Sequence, residues 1–171
     1  MPNSKIISQY LSEGGAGTTV SILPASDTPV TFSWAATISG SQAEITRCIV
    51  SIEDSGNFDA EDYGALGSPL TNGITMGVYD SNGLKYLLTD PSAPIKSNFQ
   101  WAAYCFDADV KSWGVGNNML VVRWTFAKSG KPVYIRQSKG EYIAASIADT
   151  MSGLVDHKIL LQGNWITPGP V

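Results

Sequence analysis

Histidine is nearly absent from this chain: His157 is the single one among 171 residues. Nucleophilic catalysis needs a base within reach of a nucleophile and a third group to orient it, so one imidazole leaves little room for that chemistry. His157 sits in Val155-Asp156-His157-Lys158-Ile159, at the entry of a strand among charged neighbours. Asp156 points to the opposite face if the segment is extended, so His157 reads as a residue making a local hydrogen bond. Cysteine is scarce as well. Cys48 and Cys105 fit no zinc-ligand spacing, and both fall in strand-like runs where reduced buried thiols are common; a disulfide between adjacent strands is the alternative. Charge is thin, with Asp, Glu, Lys and Arg making up 15% of the chain and a net of −4. That balance argues against a general affinity for nucleic acid or anionic membrane. No apolar run is long enough to span a bilayer, and no apolar signal segment follows Met1, so folding in a cytoplasm is the expectation. No glycine loop suits a phosphate either: Gly114-Val115-Gly116 lies between strand-like runs, with no helix following.

What the chain does have is alternation. Val30, Phe32, Trp34, Ala36 and Ile38 share one face, and Thr31, Ser33, Ala35 and Thr37 the other, which is the period of a half-buried strand. Ala43 to Glu53 is rich in β-branched residues. Leu70 to Asp80 and Leu84 to Thr89 flank Ser81-Asn82-Gly83, a hairpin signal because such turns need positive φ. Ser97 to Asp107 follows, with Phe99, Trp101, Ala103 and Cys105 on one face. In Met119 to Ala127, Leu120, Val122, Trp124 and Phe126 align inward. Val133 to Gln137, Glu141 to Ile147 and His157 to Ile166 complete the set, and Asp149 to Leu154 has the length of one capped helical turn. About eight strands of good length, with turns at fairly even spacing, predict an all-β sandwich or barrel. Apolar residues at 43% and a length of 171 suit one well-buried domain.

Residues 1–28 differ from the rest. Lys5-Ile6-Ile7-Ser8-Gln9-Tyr10-Leu11 is a short apolar segment closed by Gly14, Gly15 and Gly17, and Pro24 and Pro29 lead into the first strong strand. Glycine and proline this dense punctuate a chain without giving it a core. The expectation is an extended N-terminal arm, with one helical turn at most, whose Ile6, Ile7, Tyr10 and Leu11 are buried on another surface; the alternative is that the arm folds back on its own domain. The β-patterned domain then covers 29–167, and 168–171 form a C-terminal tail whose prolines cannot continue a ladder.

Paired carboxylates would be the better enzymatic prospect, but Glu44, Glu53 and Glu141, the glutamates on or beside strands, are not paired by spacing. The loop Glu53 to Asp62 holds five carboxylates and no base. Oxygen-rich loops of that kind serve calcium sites, yet the spacing fits no EF-hand, and a solvated acidic loop is the simpler reading. No cofactor and no metal are assigned. Arg123 to Lys139 is the counterpart, with Arg123, Lys128, Lys131, Arg136 and Lys139 and no acid among them. Lys128, Lys131, Arg136 and Lys139 are candidate contacts with an acidic partner, including the 53–62 loop of a neighbouring copy. Trp113 and Tyr63, in loops, are the aromatics able to stack on sugars.

The closing segment, Asp149-Thr150-Met151-Ser152-Gly153-Leu154 and then His157-Lys158-Ile159-Leu160-Leu161-Gln162-Gly163, resembles that of small jelly-roll proteins from tailed-phage structural clusters, the cement or decoration proteins of bacteriophage heads. The Gly/Ser/Thr-rich arm and the acidic, cysteine-poor composition are similar to that group. The resemblance implies an eight-stranded jelly-roll β-sandwich that assembles as a homotrimer and clamps joints between subunits of the major capsid protein. It also implies a virion protein with no enzymatic activity and no nucleic-acid or membrane partner. A carbohydrate-binding or host-attachment domain of a phage particle is the alternative.

Overall fold

A computed structural model describes residues 4–11, 30–90, 92–105, 107–112, 116–126 and 132–166, with the backbone alone for 4–11 and Val30. The elements in chain order are β1 (Ser4–Leu11), β2 (Val30–Ala35), β3 (Gln42–Asp54), β4 (Ile74–Asp80), β5 (Gly83–Leu87), α1 (Asn98–Cys105), β6 (Ala108–Ser112), β7 (Asn118–Thr125), β8 (Val133–Arg136), β9 (Tyr142–Ile147) and β10 (Asp156–Ile166). Among the described residues they form two sheets. Six strands run in the order β1-β10-β3-β7-β6, with β8 also pairing β3, and four run β2-β9-β4-β5. The strand pairs are antiparallel throughout.

Period-two alternation becomes burial on the inner faces. Leu120, Val122, Trp124 and Phe126 are buried, as are Phe32, Trp34 and Ala36; Ile38, expected on the same face, lies beyond the end of β2 and is exposed. β3 contributes Ala43, Ile45, Cys48, Val50 and Ile52 from the six-stranded sheet, and Ile74, Met76, Val78, Ile143, Ala145 and Ile147 answer from the four-stranded one. Both sets belong to one hydrophobic cluster, so the architecture is an all-β sandwich. Trp34 and Trp165, one from each sheet, meet with ring centroids 5.6 Å apart. A shift in register between Gln162 and Gly163 lets β10 follow β3 past this point. The extra residue is Thr46 on β3, and a Cβ at Gly163, opposite the bulge, would run into the Glu44 carbonyl, which is why glycine stands there.

The outward faces of the two sheets differ. Thr31, Ser33 and Ala35, Thr75, Gly77 and Tyr79, and Tyr142, Ala144 and Ser146 alternate with the core residues of β2, β4 and β9, and none of these nine carries a charge. Tyr79 and Tyr142, cross-strand partners, stack there at 5.3 Å.

Two expectations are corrected. Ser97 to Asp107 is not a strand: Asn98–Cys105 is a helix, and only Trp101 of the four residues assigned to a common face is deeply buried. The helix start is fully provided for. The Asn98 and Phe99 amides donate to the carbonyls of Asp62 and Ala60, the Gln100 amide to Ser97 Oγ, and the Trp101 amide to the Ser97 carbonyl. Gln100 Oε1 accepts from the Lys96 amide in return. Cys105 therefore lies on the helix, and Cys48 and Cys105 are both free. Asp149 to Leu154 makes turns rather than a helical turn; the Asp149 carboxylate instead gathers the amides of Thr71, Asn72 and Gly73. Of the N-terminal segment 1–28, residues 4–11 are described and 1–3 and 12–28 lie outside the described residues. Ser4–Leu11 pairs with β10 along its whole length, Ser4 opposite Ile166 and Leu11 opposite Ile159. Residues 167–171 lie outside the described residues.

Candidate functional site

His157 is the residue whose setting departs furthest from expectation. β10 alternates His157, Ile159 and Leu161 on its inner face, so the imidazole is carried into the core and is 0% exposed. Its partner comes from far away in sequence. Tyr63, in the long loop after β3, is also 0% exposed and places its phenol oxygen 2.7 Å from His157 Nε2. Trp101 Nε1–H donates to the same phenol oxygen at 3.3 Å. His157 Nδ1 has no hydrogen-bond partner. Burial pushes the His157 pKa down to about 4, against a smaller opposing pull from Asp156, and burial raises that of Tyr63. The loop holding Tyr63 is pinned by Asn98, which donates to the carbonyls of Asp59 and Gly64 and accepts from the Gly64 amide. This trio is a core polar network with no access for a substrate. Tyr63 is accordingly withdrawn as a sugar platform, and Trp113 lies outside the described residues.

The carboxylates go to local partners. In the acidic loop Asp54 accepts from the Ser55 amide, Asp59 from the Glu61 amide, and Glu53 from Asn117 Nδ2. Among the described residues no three His, Cys, Asp or Glu side chains gather to hold a metal. Glu141 is nearly fully buried and accepts from the Arg136 amide, Nε and Nη2 and from Lys85 Nζ. The Arg136 guanidinium, with Lys85 behind it, overrides the burial cost and holds Glu141 down at about 2. Glu44 lies 3.5 Å from the Tyr134 hydroxyl, at the far end of β3 from Glu53. The three glutamates are thus not brought together.

Of the expected basic contacts, Arg136 is turned onto Glu141, Lys139 is exposed in a short 3-10 turn (Gln137–Lys139), and Lys128 and Lys131 lie outside the described residues. Arg123 pairs with Asp107 at 3.2 Å and Asp109 at 3.7 Å. Ile6, Ile7, Tyr10 and Leu11 are placed on β1 by their backbone; their side chains lie outside the described residues.

Sequence reasoning missed two surface features. Phe99, 62% exposed, and Val110, 61% exposed, are the most exposed of the large apolar side chains described. They flank one depression of about 250 Å3, floored by Phe58, Ala102, Ala108 and Leu120. There the apolar layer of the sandwich runs out to solvent between α1 and the edge strand β6. A second groove, of about 640 Å3, is lined by Tyr86, Leu87, Leu88, Tyr104, Trp124, Phe126 and Pro132. The strand misreading of 97–107 hid the first, because it placed Phe99 and Trp101 on a common buried face.

No protein-family model, curated protein or solved structure matches this chain.

Proposed function

We propose that the protein is a non-enzymatic structural component of a virion: a jelly-roll cement protein that binds and stabilises the outer surface of a capsid as a homo-oligomer, after being made in the host cytoplasm. The observation that carries this reading is the strand order. With β6 set aside as an edge addition and β8 as a short strand continuing the line of β7, eight strands remain, in the orders β1-β10-β3-β7 and β2-β9-β4-β5. Successive strands of this set change sheet at every step except the β4–β5 hairpin. Two interleaved Greek keys give that arrangement, and jelly rolls of this kind serve in viral capsids and in lectins. The closing-segment resemblance favours the capsid role over the other uses of the fold.

The experiment is to add purified protein to phage heads assembled without it. Co-sedimentation at saturating stoichiometry, with a raised temperature of head disruption, is the expected result, since a ligand of the assembled lattice alone stabilises it by mass action. Failure to sediment with heads, at concentrations where the protein is folded, overturns the proposal.

The groove edged by Tyr86 and Tyr104 favours a second reading, a carbohydrate-binding module, because the exposed Tyr86 ring and the half-buried Tyr104 ring suit the apolar faces of sugar rings. In that case Tyr86→Ala weakens glycan retention on an array by about tenfold or more and leaves head binding unchanged.

A further inference from the structure

β6 closes one side of the six-stranded sheet, with β7 on one flank and no described strand on the other. The Arg123 amide donates to the Asp107 carbonyl, so the odd-numbered residues of this segment direct their backbone groups at β7. By the alternation of an antiparallel ladder, Ala108, Val110 and Ser112 direct theirs outward. An exposed row of donors and acceptors is a template for another strand. From Asp109 to Ser112 the strand is exposed, and Val110 stands beside Phe99 at the unfilled end of the core.

The sequence of this edge is self-complementary. Asp109-Val110-Lys111 read against itself in the antiparallel sense sets Asp109 opposite Lys111, and Lys111 opposite Asp109, about Val110. We propose that two copies of this chain pair β6 to β6, antiparallel about a twofold axis through Val110, joining their six-stranded sheets into one. The two Val110 residues exchange backbone hydrogen bonds, and Ala108 of each copy does so with Ser112 of the other. Val110 pairs with Leu120 across the β6–β7 ladder and so shares its inner face; both copies therefore bring Val110 and Phe99 to the same side of the joined sheet. There these apolar groups cover one another. On the outer side Asp109, which also lies 3.7 Å from Arg123 of its own chain, faces Lys111 of the other copy, so the charges form two attractive cross-strand pairs. The register is specified as well: a slip of two residues either way sets Asp109 against Asp109 or Lys111 against Lys111, and a slip of one turns the apolar face to solvent. The contact is isologous, the same patch on both subunits. It requires only this chain and stands whether or not the capsid reading holds.

Sedimentation velocity of the whole protein across the micromolar range tests it. The expected result is a monomer–dimer equilibrium that Lys111→Asp weakens by about tenfold or more, since two attractive pairs become two repulsive ones. The exchange Asp109→Lys with Lys111→Asp restores complementarity and returns the dissociation constant to within about threefold of the original. Val110→Pro removes an outward amide that β7 does not use, so it abolishes the dimer while the melting curve stays cooperative. The proposal is overturned by a monomer throughout that range, by an oligomer indifferent to Lys111→Asp, or by an exchange variant that folds but does not reassociate.

Discussion

His157 shows how one buried side chain writes a pH dependence into the whole fold. The folded chain holds its imidazole neutral down to about pH 4, whereas the ordinary value in the unfolded chain is 6.5. Above pH 6.5 neither state binds the proton, and the residue contributes no slope. As the pH falls from 6.5 to about 4 the unfolded state takes up a proton that the folded state refuses, so stability declines by on the order of 3 kcal/mol; below 4 the slope from this residue ends. Glu141 acts in a lower window. Its folded value near 2 lies under its ordinary 4.5, so the stability it lends is complete above 4.5 and is lost as the pH falls toward 2. Urea midpoints measured from pH 7 to pH 4 are expected to fall for the native chain and to stay nearly level for His157→Gln, whose side chain does not titrate. Equal slopes for the two proteins would assign the effect to carboxylates instead.

At the scale of elements, the strands were legible and their partners were not. Leu120, Val122, Trp124 and Phe126 announce a buried face by spacing alone, and Asn82-Gly83 announces the β4–β5 hairpin, where Gly83 takes the positive φ that such a turn demands. Helix α1 was misread for a physical reason: Phe99, Trp101, Ala103 and Cys105 alternate by chance at the strand period, over a segment too short for a helical period to declare itself. The better signal was Ser97-Asn98-Phe99-Gln100, the spacing of a capping box, of which the structure uses one half: Ser97 Oγ accepts from the Gln100 amide, while Gln100 Oε1 accepts from the Lys96 amide instead of that of Ser97. Ser97→Ala is accordingly expected to cost about 1 kcal/mol in chemical denaturation. The His157–Tyr63 contact was beyond local reading, because it joins residues 94 apart through a loop whose path depends on Asn98. The placement of His157 itself was readable, since it shares period two with Ile159 and Leu161, but its charged neighbours outweighed that in the reading.

At the scale of the molecule, the segment before Gly14 changes what truncation means. An arm anchored elsewhere could be cut away without harm to the domain. A strand hydrogen-bonded to β10 from Ser4 to Leu11 leaves an unpaired edge when removed. Deletion of residues 1–11 is therefore expected to lower the urea midpoint clearly and to promote aggregation, and a truncated protein as stable as the full chain would show that the pairing contributes little. Pairing Ser4 with Ile166 carries a consequence for biosynthesis too. A nascent chain holds β1 without a mate until β10 has left the ribosome, and β3 also waits for β10, though for a shorter stretch of chain. Closure of the large sheet is thus a late event of high contact order, and the unpaired strands depend on slow synthesis or chaperone shelter during that interval.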